Sequence, residues 1–189
     1  MKKTILTIGR QYGSGGHEIG QRIAERLGYP LYDKDKLLEL AKESGSYEEV
    51  KSFYQEKPVD SLLYAIAMNT LTQGMEKKPF QEIKRIVEKE PCVLIGRCGN
   101  YITGGKVEAL RVFIHADKDF RAQRIAKTES ITLEKAAKRI VETDKARASF
   151  YRFYTGEEWD RASNYDLVLN SSVFGIDRCV EIILNSMTK

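Results

Sequence analysis

The segment Gly9-Arg-Gln-Tyr-Gly-Ser-Gly-Gly-His-Glu-Ile-Gly20 holds five glycines in twelve residues. It follows the apolar run Ile5-Leu6-Thr7-Ile8 and leads into Ile19, Ile23, Ala24 and Leu27, spaced as one face of a helix. A strand, a glycine-rich turn and a helix form a phosphate-binding arrangement, because the turn aims backbone N–H groups and a helix N-terminus at anionic oxygens. Gly13, Gly15 and Gly16 stand where the backbone must turn sharply and let a ligand approach. The pattern G-x-x-x-x-G-K-[ST] is not met. With Gly15 as its second glycine, Arg10 takes the place of the first, Gly16 that of the lysine and His17 that of the hydroxyl. Positive charge must then come from elsewhere. Arg10 can supply it from the loop itself, and His17, in the first helical turn, can donate a hydrogen bond. Ser14 suits either a magnesium ligand or a turn-stabilising hydroxyl.

Two competing readings stay open at this point. One is a tight strand-to-helix turn with no ligand. The other is a dinucleotide fingerprint, with Gly13 and Gly15 as its first glycines and Asp33 as its acid. Glu18 then occupies the third glycine position and brings a carboxylate toward the pyrophosphate.

The elements that must position these groups follow from apolar patterning. Residues 4–9 predict a buried strand and 15–28 a helix ended by Gly28 and Pro30. Residues 30–33 predict a short second strand, and a helix runs from Asp35 through Ala41. Residues 59–75 and 79–89 carry helical apolar spacing. Cys92–Ile95, Leu110–Ile114 and Asp166–Leu169 are short apolar runs of the kind found in parallel strands covered on both faces. Residues 118–128, 132–154 and 176–187 predict helices. Strands alternating with helices give an α/β fold with a mainly parallel sheet. Ligands on such sheets sit at the carboxyl ends of the strands, where Gly9–Gly16, Asp33 and Gly96-Arg97 all fall.

The 189 residues suit one domain, 1–189, with 42% hydrophobic and 31% charged residues. A net charge of +4 is compatible with a polyanionic small molecule, and without long basic runs it gives no expectation of nucleic acid. No apolar run is long enough to cross a bilayer, and the few apolar residues after Lys2-Lys3 are too short for a signal peptide. Cys92, Cys98 and Cys179 lack metal spacing, and with two histidines, His17 and His115, zinc is not expected. Reduced thiols point to the cytoplasm.

The segments TIGRQYGSGGHEIG, PLYDKDKL, CVLIGRCGNYI, RVFIHADKDFRAQRI, DKARASFYRFYTG and NYDLVLNSS together resemble the cytidylate kinase-like family, relatives of the P-loop nucleoside monophosphate kinases. The resemblance runs from Thr4 to about Ile183. It implies a three-layer P-loop NTPase fold with five parallel strands, a helical acceptor insert at about 35–90 and a basic lid at about 121–160. It implies ATP and magnesium as cofactors, and phosphoryl transfer to a nucleoside monophosphate or related small phosphorylated acceptor; self-association stays open. Gly9, Gly13, Ser14, Gly15 and Gly16 would wrap the nucleotide phosphates, and Arg97 matches the Gly-Arg element that meets the acceptor phosphate. Asp33 would contact the acceptor or orient a metal-bound water, unless it serves as a helix cap. Arg121 and Arg124 open the helix leading into the lid, Lys145 and Arg147 match its basic part, and all four, with Arg97, would act in catalysis. Phe150, Tyr151, Phe153, Tyr154 and Trp159 read as lid packing. The chain departs from cytidylate kinases in lacking the loop lysine and in carrying Cys98 after Gly-Arg. A binding or sensory module of the same fold, without turnover, is the alternative.

Overall fold

The computed structural model describes residues 4–43, 77–106 and 108–188. Five strands form one sheet: β1 (Ile5–Arg10), β2 (Leu31–Tyr32), β3 (Cys92–Ile95), β4 (Ala109–His115) and β5 (Leu167–Asn170). Their order is β2-β3-β1-β4-β5, and every pairing is parallel. The parallel five-stranded sheet expected from the resemblance is therefore present. All the strands end on one edge.

Side chains of a strand alternate between its faces, and the burial follows. Leu6 and Ile8 join Val93, Ile95, Val112 and Ile114 on one face. That face is covered by α1 (Gly16–Leu27), through Ile19 and Ile23, and by the last helix, α7 (Ser171–Met187), through Val180 and Ile183. On the other face Ile5, Leu94 and Phe113 meet Leu37 of α2 (Lys34–Glu43), Ile83 and Val87 of α3 (Lys77–Lys89), and Phe150 and Tyr151 of α6 (Leu133–Thr155). Three layers result. Helix α5 (Lys118–Glu129) packs with α6 through Ile125, Ala136 and Ile140.

Predicted and observed elements agree closely, with two differences. The first is a four-residue helix, α4 (Gly99–Ile102), directly after β3. Gly96, Arg97 and Cys98 all have positive φ, at 73°, 54° and 56°. This left-handed run reverses the chain before α4 begins, and apolar periodicity carries no trace of it. The second is α7, which starts at Ser171 and holds a non-helical Gly175 (φ 72°, ψ 165°). The predicted helix 176–187 is the part beyond that kink. The predicted helix 59–75, and most of the proposed acceptor insert, lie outside the described residues. Among the described residues no helix is long and apolar enough to cross a membrane.

Candidate phosphate-transfer site

The loop leaves β1 and is pinned before it enters α1. Gly13 and Gly15 both sit at φ 79°, which disfavours any side chain there. The loop is also crowded: a Cβ on Gly15 would fall 2.3 Å from Ile176 Cδ1, and one on Gly16 would fall 2.5 Å from Arg10 Cβ. Ser14 is fully buried, and its hydroxyl donates to the Gln11 carbonyl at 2.8 Å. Its own carbonyl accepts from Ser171 Oγ at 2.6 Å, and the same hydroxyl lies 3.2 Å from the His115 carbonyl. Gln11 Oε1 accepts from the Ala116 N–H at 3.2 Å. The loop is thereby fastened to the ends of β4 and β5, and the positive end of the α1 dipole faces the space above it.

That space is a cleft of about 310 Å³ whose lining includes Arg10, Gly13, Gly16, His17, Arg124 and Arg147. A second, nearly filled cavity of about 20 Å³ lies beside it, at the end of β3. Its lining includes Arg97, Asn100, Phe150, Tyr151, Trp159 and Tyr165, again with Arg10 and Arg147. The buried Arg97 guanidinium carbon stands 5.6 Å from the centre of the Phe150 ring, a cation–π distance. Asn100 Nδ2 donates to the Tyr151 hydroxyl at 2.8 Å, and the Tyr165 hydroxyl donates to the Trp159 carbonyl at 2.6 Å. Burial pushes the Tyr151 and Tyr165 hydroxyls far above their ordinary pKa, so both stay neutral. Arg147 Nη1 donates to the Arg10 carbonyl at 3.1 Å, and its guanidinium lies 5.5 Å from the Tyr12 ring centre.

Not every expected cation faces these cavities. Arg121 is buried and lines neither; its Nη1 donates to Asp144 Oδ2 and to the Tyr12 carbonyl, the latter at 3.2 Å. Asp144 Oδ1 also accepts from the Tyr12 N–H at 2.8 Å, so this pair braces the loop against α6. Lys145 is exposed and lines neither cavity. Arg124 lines the loop cleft, with Nη2 donating to Glu18. Ser14, expected at the phosphates or on magnesium, is instead sealed under the loop, because its hydroxyl closes the Gln11 turn. Arg10, Gly13, Gly15, Gly16, His17, Arg97 and Arg147 do come together. Sequence reasoning missed Ser171, Asp144 and the role of Tyr12, since long-range ties of single polar residues leave no periodic signal.

Asp33 stands at the end of β2, where His17 Nε2 lies 3.0 Å from its Oδ2. Its Oδ1 caps α2, accepting from the N–H groups of Asp35 and Lys36 at 3.1 and 3.0 Å. Partial burial works to raise its pKa, but the hydrogen bonds from His17, Lys36 and Asp35 prevail and hold it below the ordinary 3.8. A lowered folded-state pKa gives stability that is complete above 3.8 and is lost as pH falls through the folded value. Asp33→Asn should therefore be less stable than the wild type by a constant margin at neutral pH. In urea titrations across pH, that margin should shrink below 3.8; a pH-independent margin would remove the carboxylate charge from the explanation.

Residues 5–173 match the family described as the cytidylate kinase-like family. The chain belongs to the cytidylate kinase-like family. A protein named cytidylate kinase from Archaeoglobus fulgidus is 31% identical over 96% of this chain and 93% of its own length. An uncharacterized protein from Eubacterium ventriosum shares the fold at a TM-score of 0.77, with 26% identity and 97% of each chain covered. Shikimate kinase from Bacteroides thetaiotaomicron has a TM-score of 0.55 at 13% identity, covering 97% of each chain, which is a likeness of fold. Within this cytidylate kinase-like frame, Gly16 stands at the helix-start position where G-x-x-x-x-G-K-[ST] loops carry lysine.

Proposed function

We propose that this cytidylate kinase-like chain transfers the γ-phosphoryl group of ATP to a nucleoside monophosphate, cytidylate-like, or to a related small phosphorylated acceptor. One observation carries the reading: a cleft over the glycine loop adjoins an arginine- and aromatic-lined cavity, at the edge where all five strands end. The loop cleft suits the triphosphate, through backbone N–H groups and the α1 N-terminus. Arg97 suits the acceptor phosphate, for which the nearly filled cavity around it must open.

In the transfer, an already ionised oxygen of the acceptor phosphate bonds to the γ-phosphorus. The bond from that phosphorus to the β,γ-bridging oxygen breaks, and its electron pair leaves with ADP. No proton has to move. The protein's part is to hold donor and acceptor in line and to neutralise charge on the moving group. The aromatic wall formed by Phe150, Tyr151, Trp159 and Tyr165 excludes water that would otherwise compete. Asp33 and His17 stand at the start of the acceptor insert and suit a role in placing the acceptor.

Magnesium normally reaches such sites with the substrate phosphates and keeps several waters. Among the described residues no group of three or more His, Cys, Asp or Glu could hold a metal ion, and Ser14 is buried with its hydroxyl in the Gln11 turn. These donors do not fit a protein-built cage, so no step here runs through the ion.

The glycine at the lysine position favours a second reading, a nucleotide-binding module without turnover. Two measurements separate the readings. ATP should raise the melting temperature, and ADP release in a coupled assay should require an acceptor, with cytidine monophosphate tried first. A thermal shift with no ADP release for any nucleoside monophosphate would leave the binding module. No thermal shift would dismiss both.

A further inference from the structure

The geometry points to Gly96 as a positioning residue for phosphoryl transfer: its missing side chain seats the Arg10 guanidinium between the two cavities, where Arg10 takes over the work of the loop lysine. This rests on the phosphotransferase reading above. Arg10 is the last residue of β1, and Gly16 crowds the root of its side chain. A Cβ on Gly16 would fall 2.5 Å from Arg10 Cβ and 3.1 Å from Arg10 Cγ. A lysine at position 16 and the present Arg10 stem therefore exclude each other on this backbone. The arginine fills the space from which a lysine would reach the phosphates.

Its far end lies over Gly96. A Cβ there would come within 2.1 Å of Nη1, 3.1 Å of Cζ and 3.5 Å of Nη2. One glycine thus accommodates the root of Arg10 and another its tip. Of the residues lining the two cavities, Arg10 and Arg147 are the two shared by both. A phosphoryl group passing from the loop to the acceptor must cross the plane they occupy. A guanidinium can bind oxygens at two separate in-plane forks, where an ammonium presents a single point of charge. Arg147 holds the Arg10 backbone through its bond to the carbonyl, which fixes the two cations relative to each other.

Gly96→Ala tests the seat directly. The atom it would strike is the end of a flexible side chain, so Arg10 can swing aside. A further cost is the positive φ of 73°. Gly28→Ala is the control, because Gly28 has φ 65° with nothing within 4 Å of its Cβ position. Both variants should lose melting temperature from the positive φ, with Gly96→Ala losing more by whatever Arg10 gives up when it moves. With ATP and cytidine monophosphate, Arg10→Ala and Gly96→Ala should each lower kcat about a hundred- to a thousandfold with the KM for ATP little changed, while Gly28→Ala keeps the wild-type rate. The Arg10→Ala/Gly96→Ala double variant should be no slower than Arg10→Ala alone, because the two act as one unit. Calorimetry with a probe that spans both cavities, adenosine joined to cytidine through five phosphates, supplies a readout independent of turnover. Its affinity should fall about tenfold or more in both variants, the mark of a lost charge-assisted contact, while ATP affinity holds. If the wild type turns over and Arg10→Ala stays within about twofold of it, or Gly96→Ala matches Gly28→Ala, the seat is refuted and phosphoryl transfer stands. A wild type that neither turns over nor binds the five-phosphate probe overturns the phosphotransferase reading and this role together.

Discussion

Arg97→Ala should lower kcat by about a hundred- to a thousandfold while leaving ATP affinity close to that of the wild type. The asymmetry follows from where the side chain sits. Arg97 lines the aromatic cavity and not the loop cleft, so the triphosphate keeps its backbone cradle when the guanidinium is gone. The acceptor loses a cation that burial shields from water, and an ionic contact is worth most in such a place. Some stability goes too, about 1 kcal/mol, from the contact with Phe150. Arg97→Lys should recover part of the rate, since it restores charge without the planar fork. Turnover and equilibrium nucleotide affinity, measured on each variant, check the split. Loss of ATP affinity in parallel with kcat would place Arg97 on the donor side instead.

The sheet and the loop were readable because each rests on a strong local pattern. Cys92–Ile95 is apolar along its length and Ala109–His115 is interrupted only by Arg111 before it ends at His115, close to what a strand covered on both faces needs. Gly13, Gly15 and Gly16 mark a backbone that no other residue would tolerate. The cations were harder, because charge on a helix is spelled alike whether it faces a ligand, solvent or a buried partner. Arg121 and Arg147 look equivalent as letters, yet one is locked to Asp144 and the other lines both cavities. What separates them is which way each faces once α5 and α6 have packed through Ile125, Ala136 and Ile140, and single letters do not carry that. The Gly96 seat was hidden for a related reason, since it depends on a side chain rooted some eighty-six residues earlier, on a neighbouring strand.

The Arg121–Asp144 pair should yield the largest loss of stability. The Arg121 side chain is 5% exposed, and its Nε already lacks a hydrogen-bond partner. Asp144→Ala would leave that guanidinium charged, buried and uncompensated, and would also strip the acceptor from the Tyr12 N–H. Breaking one side of a buried pair costs about 3–5 kcal/mol. Asp144 is 19% exposed, which admits some water and favours the lower end, about 3 kcal/mol. For a chain of this size that amounts to roughly 6–12 °C in melting temperature. The exposed Arg139–Glu129 contact nearby offers a comparison: Arg139→Ala should cost less than about 1 kcal/mol. Because Tyr12 belongs to the loop, Asp144→Ala should also weaken ATP binding. Thermal melts and nucleotide titrations on the two variants test this, and equal losses would mean that burial is not what gives the Asp144 pair its strength.

The central place of β1 has a consequence for how the chain comes to be made. Ile5 pairs with Cys92 on one side and with Ala109 on the other, so β1, which precedes the other four strands of this sheet, waits for partners about a hundred residues downstream. At ordinary translation speeds of about 5–20 residues per second, that wait is about 5–20 s. During it, Ile5, Leu6 and Ile8 have no sheet to enter, and the glycine segment behind them has no helix stack to hold its turns. The glycine loop thus emerges well before the partners that give it its shape. Codon choice or chaperone access in the stretch before Cys92 should therefore change the yield of folded protein, as measured by soluble expression of synonymous variants.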